Sequence, residues 1–332
     1  MLRQLRLHKA NASTAIACFA LTCLALASGC SRESAKDANA VQVQLNWYPE
    51  SEHGGLYQAL AQNSYQDAGL EVSIQPGGRA TPVGPELELG RAQFAVANAD
   101  DVMIFRAQGL DVVAVMAAMQ NHPRCIIARK DSGVESFEDL GGKTFQRQAG
   151  RAFVEFLRAK HYLDDVQEVP YHGSIASMVA DPNIVIQGYS CAEPLLAQQQ
   201  GIEVNTLMVS ELGFNPYSSV LVTTGKLIRE NPERIQKFVT ATREGWKEYL
   251  TDSKLGNEAI LSVNEQGMTP EALQFGAEVM RELAMPAGAP IDSVGTMTDE
   301  RWKTLYDQLV ELNVIEADKV TAKDCYTLEF LK

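Results

Sequence analysis

The feature that most constrains the fold is an alternation of short apolar strands and helices from Val41 to about residue 224. Apolar runs end in glycine, asparagine or aspartate, and helical patterns follow most of them. Parallel strands need a crossover connection, usually a helix, so this alternation predicts parallel sheets covered by helices. From residue 231 onward the pattern is helical. The sequence therefore predicts an α/β fold.

The turn after the first predicted strand concentrates polar and aromatic side chains. Val41, Val43 and Leu45 alternate with polar residues, which is the period of a half-buried strand. The next residues, WYPESEHGG at 47–55, carry aromatics, carboxylates, a histidine and a glycine pair that permits close backbone approach. Small ligands bind at this edge of open α/β sheets. The segment is either a ligand-binding turn or a core strand followed by a solvated turn.

The first 29 residues have the pattern of a secretory signal peptide. Arg3, Arg6 and Lys9 precede an apolar run at 15–27, and no acidic residue occurs there. The segment LASGC at 26–30 resembles a bacterial lipobox, although Ala27 stands where leucine is commoner. That resemblance implies cleavage before Cys30 and lipidation of Cys30, with residues 30–40 as a flexible tether. An ordinary cleaved signal is the alternative.

Composition narrows the class of protein. About 300 residues would remain after cleavage, near the size at which one core divides into two. The net charge is −13, and loss of three cationic residues with the signal lowers it to −16, so we expect no nucleic-acid partner. Cys125, Cys191 and Cys325 are widely spaced and lack the spacing of a zinc site, so we expect no metal. A single Cys125–Cys191 disulfide is compatible with the sequence.

The order of motifs carries a resemblance to a known family. The series is LNWYP at 45–49, HGGLY at 53–57, GLEVSIQPGG at 69–78, GGKTF at 141–145, GYSCAEP at 188–194 and GTMTDERW at 295–302. It resembles the solute-binding proteins of bacterial ABC importers, in the subfamily that includes binders of thiamine pyrimidine precursors, riboflavin and alkanesulfonates. The resemblance runs from Val41 to about Ile315.

The resemblance implies a type II periplasmic binding protein fold, in which two α/β lobes close over a ligand cleft. We expect lobe one at 41–128 and 220–332 and lobe two at 129–219, with crossings near Ala128–Lys130 and Ser219–Val222. It also implies a lipid-anchored monomer at the extracytoplasmic face of the cell envelope. Its partners would be a small-molecule ligand and an ABC permease and ATPase, with no cofactor.

The resemblance also implies which residues line the cleft. Aromatic faces would stack on a flat ring, and carboxylates would accept hydrogen bonds from its amino groups, as an aminopyrimidine or a flavin-like ring requires. Asp100 is expected to cap its helix rather than bind ligand. The expected ligand-binding residues are Trp47, Tyr48, Glu50, His53, Asn98, Asp101, Tyr189, Glu193 and Tyr217.

Two alternatives follow from other residues. Arg79, Arg124, Arg147 and Arg151 are placed near the cleft mouth and favour an anion such as an alkanesulfonate or nitrate. Some relatives are pyrimidine synthases that consume a lysine-bound cofactor and a histidine. This chain has Ala97 and Asp101 where that lysine and histidine are expected, so we predict a binding protein and no enzyme.

Overall fold

The structure is a computed structural model that describes residues 39–286 and 288–332 of the chain. The predicted signal peptide 1–29, Cys30 and most of the predicted tether 30–40 lie outside the described residues. Residues 40–332 form one compact unit. Within the described part, every helix is too short or too polar to cross a membrane.

The strands and helices alternate as the sequence predicts. The strands are Ala40–Gln44 (β1), Glu71–Gln75 (β2), Phe94–Ala97 (β3), Val112–Met119 (β4), Arg124–Arg129 (β5), Thr144–Arg147 (β6), Gln167–Pro170 (β7), Ile184–Tyr189 (β8), Val204–Met208 (β9) and Ser218–Thr224 (β10). The helices are Gly54–Ala61 (α1), Ser64–Asp67 (α2), Val83–Glu88 (α3), Ala99–Ala107 (α4), Ala152–Ala159 (α5), Ala176–Ala180 (α6), Glu193–Gln199 (α7), Gly225–Glu230 (α8), Pro232–Thr251 (α9), Lys254–Val263 (α10), Pro270–Ala284 (α11) and Asp299–Glu311 (α12). Short 3-10 helices occupy Ser51–His53, Lys130–Ser132, Phe137–Leu140, Val209–Leu212, Ile291–Ser293, Ala322–Asp324 and Glu329–Leu331.

The strands form two sheets. The first has the order β2-β1-β3-β10-β4 and the second the order β7-β6-β8-β5-β9. Strand β1 runs parallel to β2 and β3, and β6 runs parallel to β7 and β8. Strands β10 and β5 run antiparallel to their neighbours, so both sheets are mixed rather than all-parallel. Strands β5 and β10 each follow a segment that passes from one sheet to the other. No crossover helix precedes them there, and parallel pairing usually needs such a helix.

The chain changes sheet earlier than the sequence predicts. Strand β5 is hydrogen-bonded within the second sheet, so the first crossing lies between Met119 and Arg124 rather than near Ala128–Lys130. Strand β10 belongs wholly to the first sheet, so the return precedes Ser218 instead of occurring at Ser219–Val222. Both changes of sheet therefore lie on the N-terminal side of the lobe boundaries expected at 128/129 and 219/220.

The start of α1 packs tightly on the long helix α9. An added Cβ on Gly54 would lie 2.1 Å from a ring atom of Tyr249, and one on Gly55 would lie 2.2 Å from Trp246. Both ring systems are buried. The glycine pair therefore serves close packing of α1 on α9, as the sequence indicates, and this contact fixes the turn that precedes α1.

Candidate ligand-binding site

The turn after β1 holds two aromatic rings at the edge of the first sheet. The Trp47 carbonyl accepts a hydrogen bond from the Gly77 amide at 2.9 Å. An added Cβ on Gly77 would lie 2.3 Å from the Leu45 carbonyl oxygen, so the approach requires glycine. The half-buried rings of Trp47 and Tyr48 meet edge to face, with centroids 5.1 Å apart. Both rings therefore keep surface on which a flat ligand can stack.

His53, one of the expected ligand-binding residues, is held inside the same turn by hydrogen bonds of its ring. With its proton on Nε2, the ring donates to Asn46 Oδ1 at 2.9 Å and accepts the Glu50 amide on Nδ1 at 3.4 Å. The side chain is fully buried, and desolvation lowers its pKa to about 3, so the imidazole is neutral. Both ring nitrogens are engaged inside the turn, because the chain folds inward before α1.

Asn98 lies at the turn between β3 and α4 and connects the two sheets. It occupies the N-cap position, and its amide donates to Asp101 Oδ2 at 3.4 Å. Its side-chain amide donates to the hydroxyl of Tyr189, in the second sheet, at 3.3 Å. The expectation that Asp100 is the cap is wrong. The Asp100 carboxylate is buried instead.

Glu193 folds back on the turn that follows β8. Its carboxylate accepts the Tyr189 amide at 2.8 Å and the Tyr171 hydroxyl at 3.1 Å. An added Cβ on Gly188 would lie 3.1 Å from Glu193 Oε2 and 2.4 Å from Ile127, so glycine makes room for this arrangement. Burial raises the pKa of Glu193. The GYSCAEP motif thus positions a carboxylate on the second-sheet side.

Two guanidinium groups of the second-sheet side face these carboxylates. Arg151 Nη1 donates to Asp101 Oδ1 at 3.1 Å, and Asp101 raises the pKa of Arg151. Arg124 is 9% exposed, and its Cζ lies 4.4 Å from the Tyr189 ring centroid and 5.1 Å from that of Phe153. Such cation–π contacts compensate part of the cost of burying a guanidinium. The sequence placed both arginines at the mouth, whereas the structure places Arg124 inside.

Carboxylates outnumber the guanidiniums in this interior. We call the set Glu50, Glu52, Asp100, Asp101 and Glu193 the acidic cluster. Burial, with Glu193 adding and Arg124 opposing, raises the pKa of Glu52 to about 7. Burial and then Asp101 raise the pKa of Asp100 to about 7, and burial followed by Glu52 and Glu193 raises that of Glu50 well above its usual value. The cluster therefore favours a ligand that supplies protons or hydrogen-bond donors.

Two buried polar atoms of the interior lack hydrogen-bond partners among the described residues. They are Asp100 Oδ1, an acceptor, and Arg124 Nε, a donor. Both residues line a small cavity, together with Asn98, His122, Arg151, Phe153 and Phe214. Burial, Arg124 and Arg151 lower the pKa of His122 well below its usual value, so that imidazole is neutral. The cavity has a volume of about 10 Å³, close to the room that one water molecule needs, so its acceptor and donor are open only to a water-sized polar group.

A larger groove adjoins this interior. Its volume is about 450 Å³, within the range of roughly 300–1,000 Å³ typical of small-molecule sites. Arg151 and Tyr171 line the groove and also contact Asp101 and Glu193 of the acidic cluster. We call it the arginine groove. Its walls are Arg79, Arg147, Gln148, Ala149, Gly150, Arg151, Glu168, Val169, Pro170 and Tyr171.

Tyr217, one of the expected ligand-binding residues, lies in the core. It is 2% exposed, and its hydroxyl accepts the Thr298 amide at 3.0 Å. The guanidinium of Arg301 lies 3.8 Å from its ring centroid, and the indole of Trp302 packs nearby at 6.1 Å. The ring points inward because Ser218 begins the buried strand β10.

Sequence reasoning missed the contribution of Glu52 and Asp100 to the site. Glu52 is visible as a second carboxylate of the first turn, and Asp100 as one of three adjacent polar residues after β3. Cys125, Cys191 and Cys325 are free and buried. The described residues contain no group of three or more histidine, cysteine or acidic side chains arranged to hold a metal.

Curated relatives are binding proteins and one synthase. The riboflavin-binding protein RibY of Chloroflexus aurantiacus is 27% identical over 64% of this chain and 63% of that protein. The formylaminopyrimidine-binding protein of Halalkalibacterium halodurans is 21% identical over 92% of this chain and 96% of that protein. The 4-amino-5-hydroxymethyl-2-methylpyrimidine phosphate synthase of Legionella pneumophila is also 21% identical, over 69% of this chain and 75% of that protein.

Solved structures identify the fold. The periplasmic aliphatic sulphonate binding protein SsuA of Escherichia coli superposes with a TM-score of 0.64 at 14% identity. The match covers 86% of this chain and 91% of that chain, so the expected periplasmic binding protein fold is confirmed. The family model described as "NMT1/THI5 like" matches residues 50–254, which include all five residues of the acidic cluster and every residue that lines the arginine groove. The chain therefore belongs to the NMT1/THI5-like family.

Proposed function

We propose that this protein is the substrate-binding component of an ABC importer and captures a small flat heterocycle. The observation that carries the proposal is the acidic cluster, in which Glu52 and Asp100 are buried and the other three carboxylates are half-buried. Burial raises the pKa of Glu50, Glu52 and Asp100, which supports a ligand that brings hydrogen-bond donors to these carboxylates. A ring with amino, imino or hydroxyl groups supplies those donors.

The relatives support this class of ligand. Riboflavin and formylaminopyrimidine both present a flat ring with hydrogen-bonding edges, and both appear in the names of similar binding proteins. A ligand held from both sheets stabilises the closed arrangement selectively.

Binding rather than catalysis is the function that the residues support. The positions expected for the synthase lysine and histidine hold Ala97, which is buried, and Asp101, which pairs with Arg151. Neither can form the lysine-bound cofactor or supply the histidine. The synthase among the relatives is 21% identical, and incubation with pyridoxal phosphate and iron tests this alternative directly.

We also propose that the protein works outside the cytoplasm as a monomer, tethered by lipid on Cys30 beside a permease and ATPase. The support is the sequence of residues 1–40, with its signal pattern and lipobox. A Cys30→Ser variant is expected to move from the membrane to the soluble fraction of its host. Continued pelleting with membranes, together with labelling by a fatty-acid probe, would contradict the anchor.

The decisive experiment is a thermal-shift and calorimetric panel of riboflavin, 4-amino-5-hydroxymethyl-2-methylpyrimidine, taurine and nitrate. A ligand that binds only the folded form stabilises it by about 2.7 kcal/mol at a hundredfold excess over Kd. We expect a shift with a ring compound and none with the small anions. A shift with taurine or nitrate alone would instead favour the anion-binding alternative. The three arginines that line the arginine groove support that alternative.

Variants then locate the site. Asp101→Asn and Glu193→Gln each remove a charged acceptor and are expected to weaken ring binding by ~1.5–3 kcal/mol. Trp47→Ala is expected to cost at least as much, because stacking and area burial are lost together. Tyr217→Phe is the control, since its hydroxyl contacts Thr298 in the core. Unchanged affinity in all three site variants would place the ligand elsewhere.

A further inference from the structure

The arginine groove is more basic than the protein around it. Arg79, Arg147 and Arg151 line it, and Glu168 is the one carboxylate among its lining residues. The whole chain carries a net charge of −13, so an anion approaching elsewhere is repelled. A cluster of guanidiniums in a concave surface makes the local electrostatic potential positive, so the groove attracts an anionic ligand.

The groove arginines are not fully neutralised by their neighbours. Glu168 accepts Arg147 Nε at 2.6 Å, but it also accepts Arg158 Nη2 at 2.6 Å and is therefore shared. Arg151 has Asp101 as its partner. No carboxylate of the described residues forms an ion pair with Arg79, which is exposed. Positive charge thus remains for a ligand.

Arg79 reaches the groove from the first-sheet side. It follows β2, whereas the other walls belong to β6, β7 and the turn before α5. An added Cβ on Gly173 would lie 2.8 Å from Arg79 Nε, so the Arg79 side chain reaches the loop after β7. Gly173 has φ +71°, a conformation suited to glycine, and any side chain there would displace Arg79. An anion in the groove would therefore touch both sides of the cleft.

The groove and the acidic cluster share walls. Arg151 faces the groove and pairs with Asp101, while Tyr171 faces it and donates to Glu193. A ligand in the groove therefore contacts two side chains that are themselves bonded to carboxylates of the acidic cluster. An arginine guanidinium can donate two parallel hydrogen bonds to two oxygens of a phosphate group. The carboxylates of the acidic cluster cannot donate such bonds when they are ionised.

We propose that the ligand carries a phosphate monoester, which the arginine groove binds while the ring lies against the acidic cluster. This inference rests on the proposed function, because it names the second half of the same ligand. It assigns Arg79 and Arg147 as specificity-determining residues. The ring alone would leave the groove filled with solvent, and inorganic phosphate alone would leave the acidic cluster without donors.

The test compares each ring with its phosphate ester by isothermal titration. The pairs are riboflavin with riboflavin 5′-phosphate, and 4-amino-5-hydroxymethyl-2-methylpyrimidine with its phosphate. We expect the ester of the preferred ring to bind at least tenfold more tightly than the parent. The preference should shrink as salt rises, since exposed charges are screened.

Arg79→Gln and Arg147→Gln are expected to remove most of that preference while leaving the parent's affinity within about twofold. Arg229→Gln is the matched control, because Arg229 is 72% exposed and pairs with Asp111 outside the groove. Thermal unfolding of each variant checks that it is folded. Retention of the full preference in both groove variants would overturn the assignment of these arginines.

The outcomes separate the two proposals. Equal affinity for ester and parent in the unmodified protein overturns the phosphate inference and leaves the proposed function standing. Binding of inorganic phosphate as tightly as the ester would overturn the two-part ligand, since the ring would then add nothing. Absence of binding by every ring and ester would overturn the proposed function itself.

Discussion

The two sides of the cleft differ in charge. The first-sheet side contributes Glu50, Glu52, Asp100 and Asp101 from the turns after β1 and β3. The second-sheet side contributes the guanidiniums of Arg124 and Arg151. Either set alone would be self-repelling and costly to bury, because like charges and desolvation both oppose ionisation. Facing each other, they lower that cost, and the Asp101–Arg151 pair joins them at 3.1 Å.

The guanidiniums of the cleft do not balance all of its carboxylates. Glu193 adds a carboxylate on the second-sheet side, where its own turn donates the Tyr189 amide to it at 2.8 Å. The raised pKa of Glu52, about 7, persists although Arg124 opposes the shift. An excess of acceptors on one side therefore remains for a ligand to satisfy.

The largest effect is expected from Arg124→Met, which removes the buried cation of the second side. Removing one partner of a buried charge arrangement costs about 3–5 kcal/mol. We expect a loss of this size in the free energy of unfolding at pH 8. The loss should diminish at pH 5, because the facing carboxylates then protonate. Urea unfolding at both pH values measures it.

Arg91→Met serves as the control for that substitution, since Arg91 pairs with Glu86 on the surface. It is expected to change the unfolding free energy by less than about 1 kcal/mol at either pH. An equal loss for Arg124→Met at pH 8 and pH 5 would show that Arg124 acts through packing on Phe153 and Tyr189, and not through charge.

A smaller effect of opposite sign is expected from Glu52→Gln. The folded-state pKa of Glu52 is raised to about 7 from 4.5, so its stabilising contribution is complete below pH 4.5 and is lost as pH rises through 7. The variant cannot ionise and escapes that loss. We expect it to be more stable than the parent by about 1–3 kcal/mol at pH 8, with no gain near pH 4.5.

The measurement is the unfolding free energy of the ligand-free protein across pH 4.5–8. Glu233→Gln is the control, because Lys237 lowers the pKa of this exposed carboxyl. A gain for Glu52→Gln that does not depend on pH would refute titration of Glu52 as its cause. For the parent, ring affinity should rise with pH through 7, because donors favour the ionised carboxylates.

The smallest effect on stability is expected from Asp101→Asn, which breaks the pair between the two sides. The side chains of Asp101 and Arg151 are 20% and 31% exposed, so solvent screens their attraction. We expect a loss of at most about 1 kcal/mol in unfolding free energy. That loss should decrease in high salt. A salt-independent loss of several kcal/mol would mean that the pair is effectively desolvated.

The strand order predicts which turns form the candidate site, but it does not predict the direction of their side chains. The turns after β1, β3 and β8 are visible in the sequence as polar residues that end apolar runs. Within those turns, His53 points inward to Asn46, whereas Glu52 joins the acidic cluster. Neighbouring polar residues of one turn carry no sequence signal that distinguishes these directions, since packing of α1 on α9 fixes them.

The sequence by itself determined the α/β alternation, the glycine pair at 54–55 and the turns that carry Trp47, Asp101 and Glu193. These properties are local, because periodicity, capping and backbone freedom depend on neighbours along the chain. Tertiary structure alone decided the sheet of β5, the core position of Tyr217 and the burial of Arg124 between two rings. Strand partners and ring contacts join residues far apart in the chain, so no local pattern specifies them.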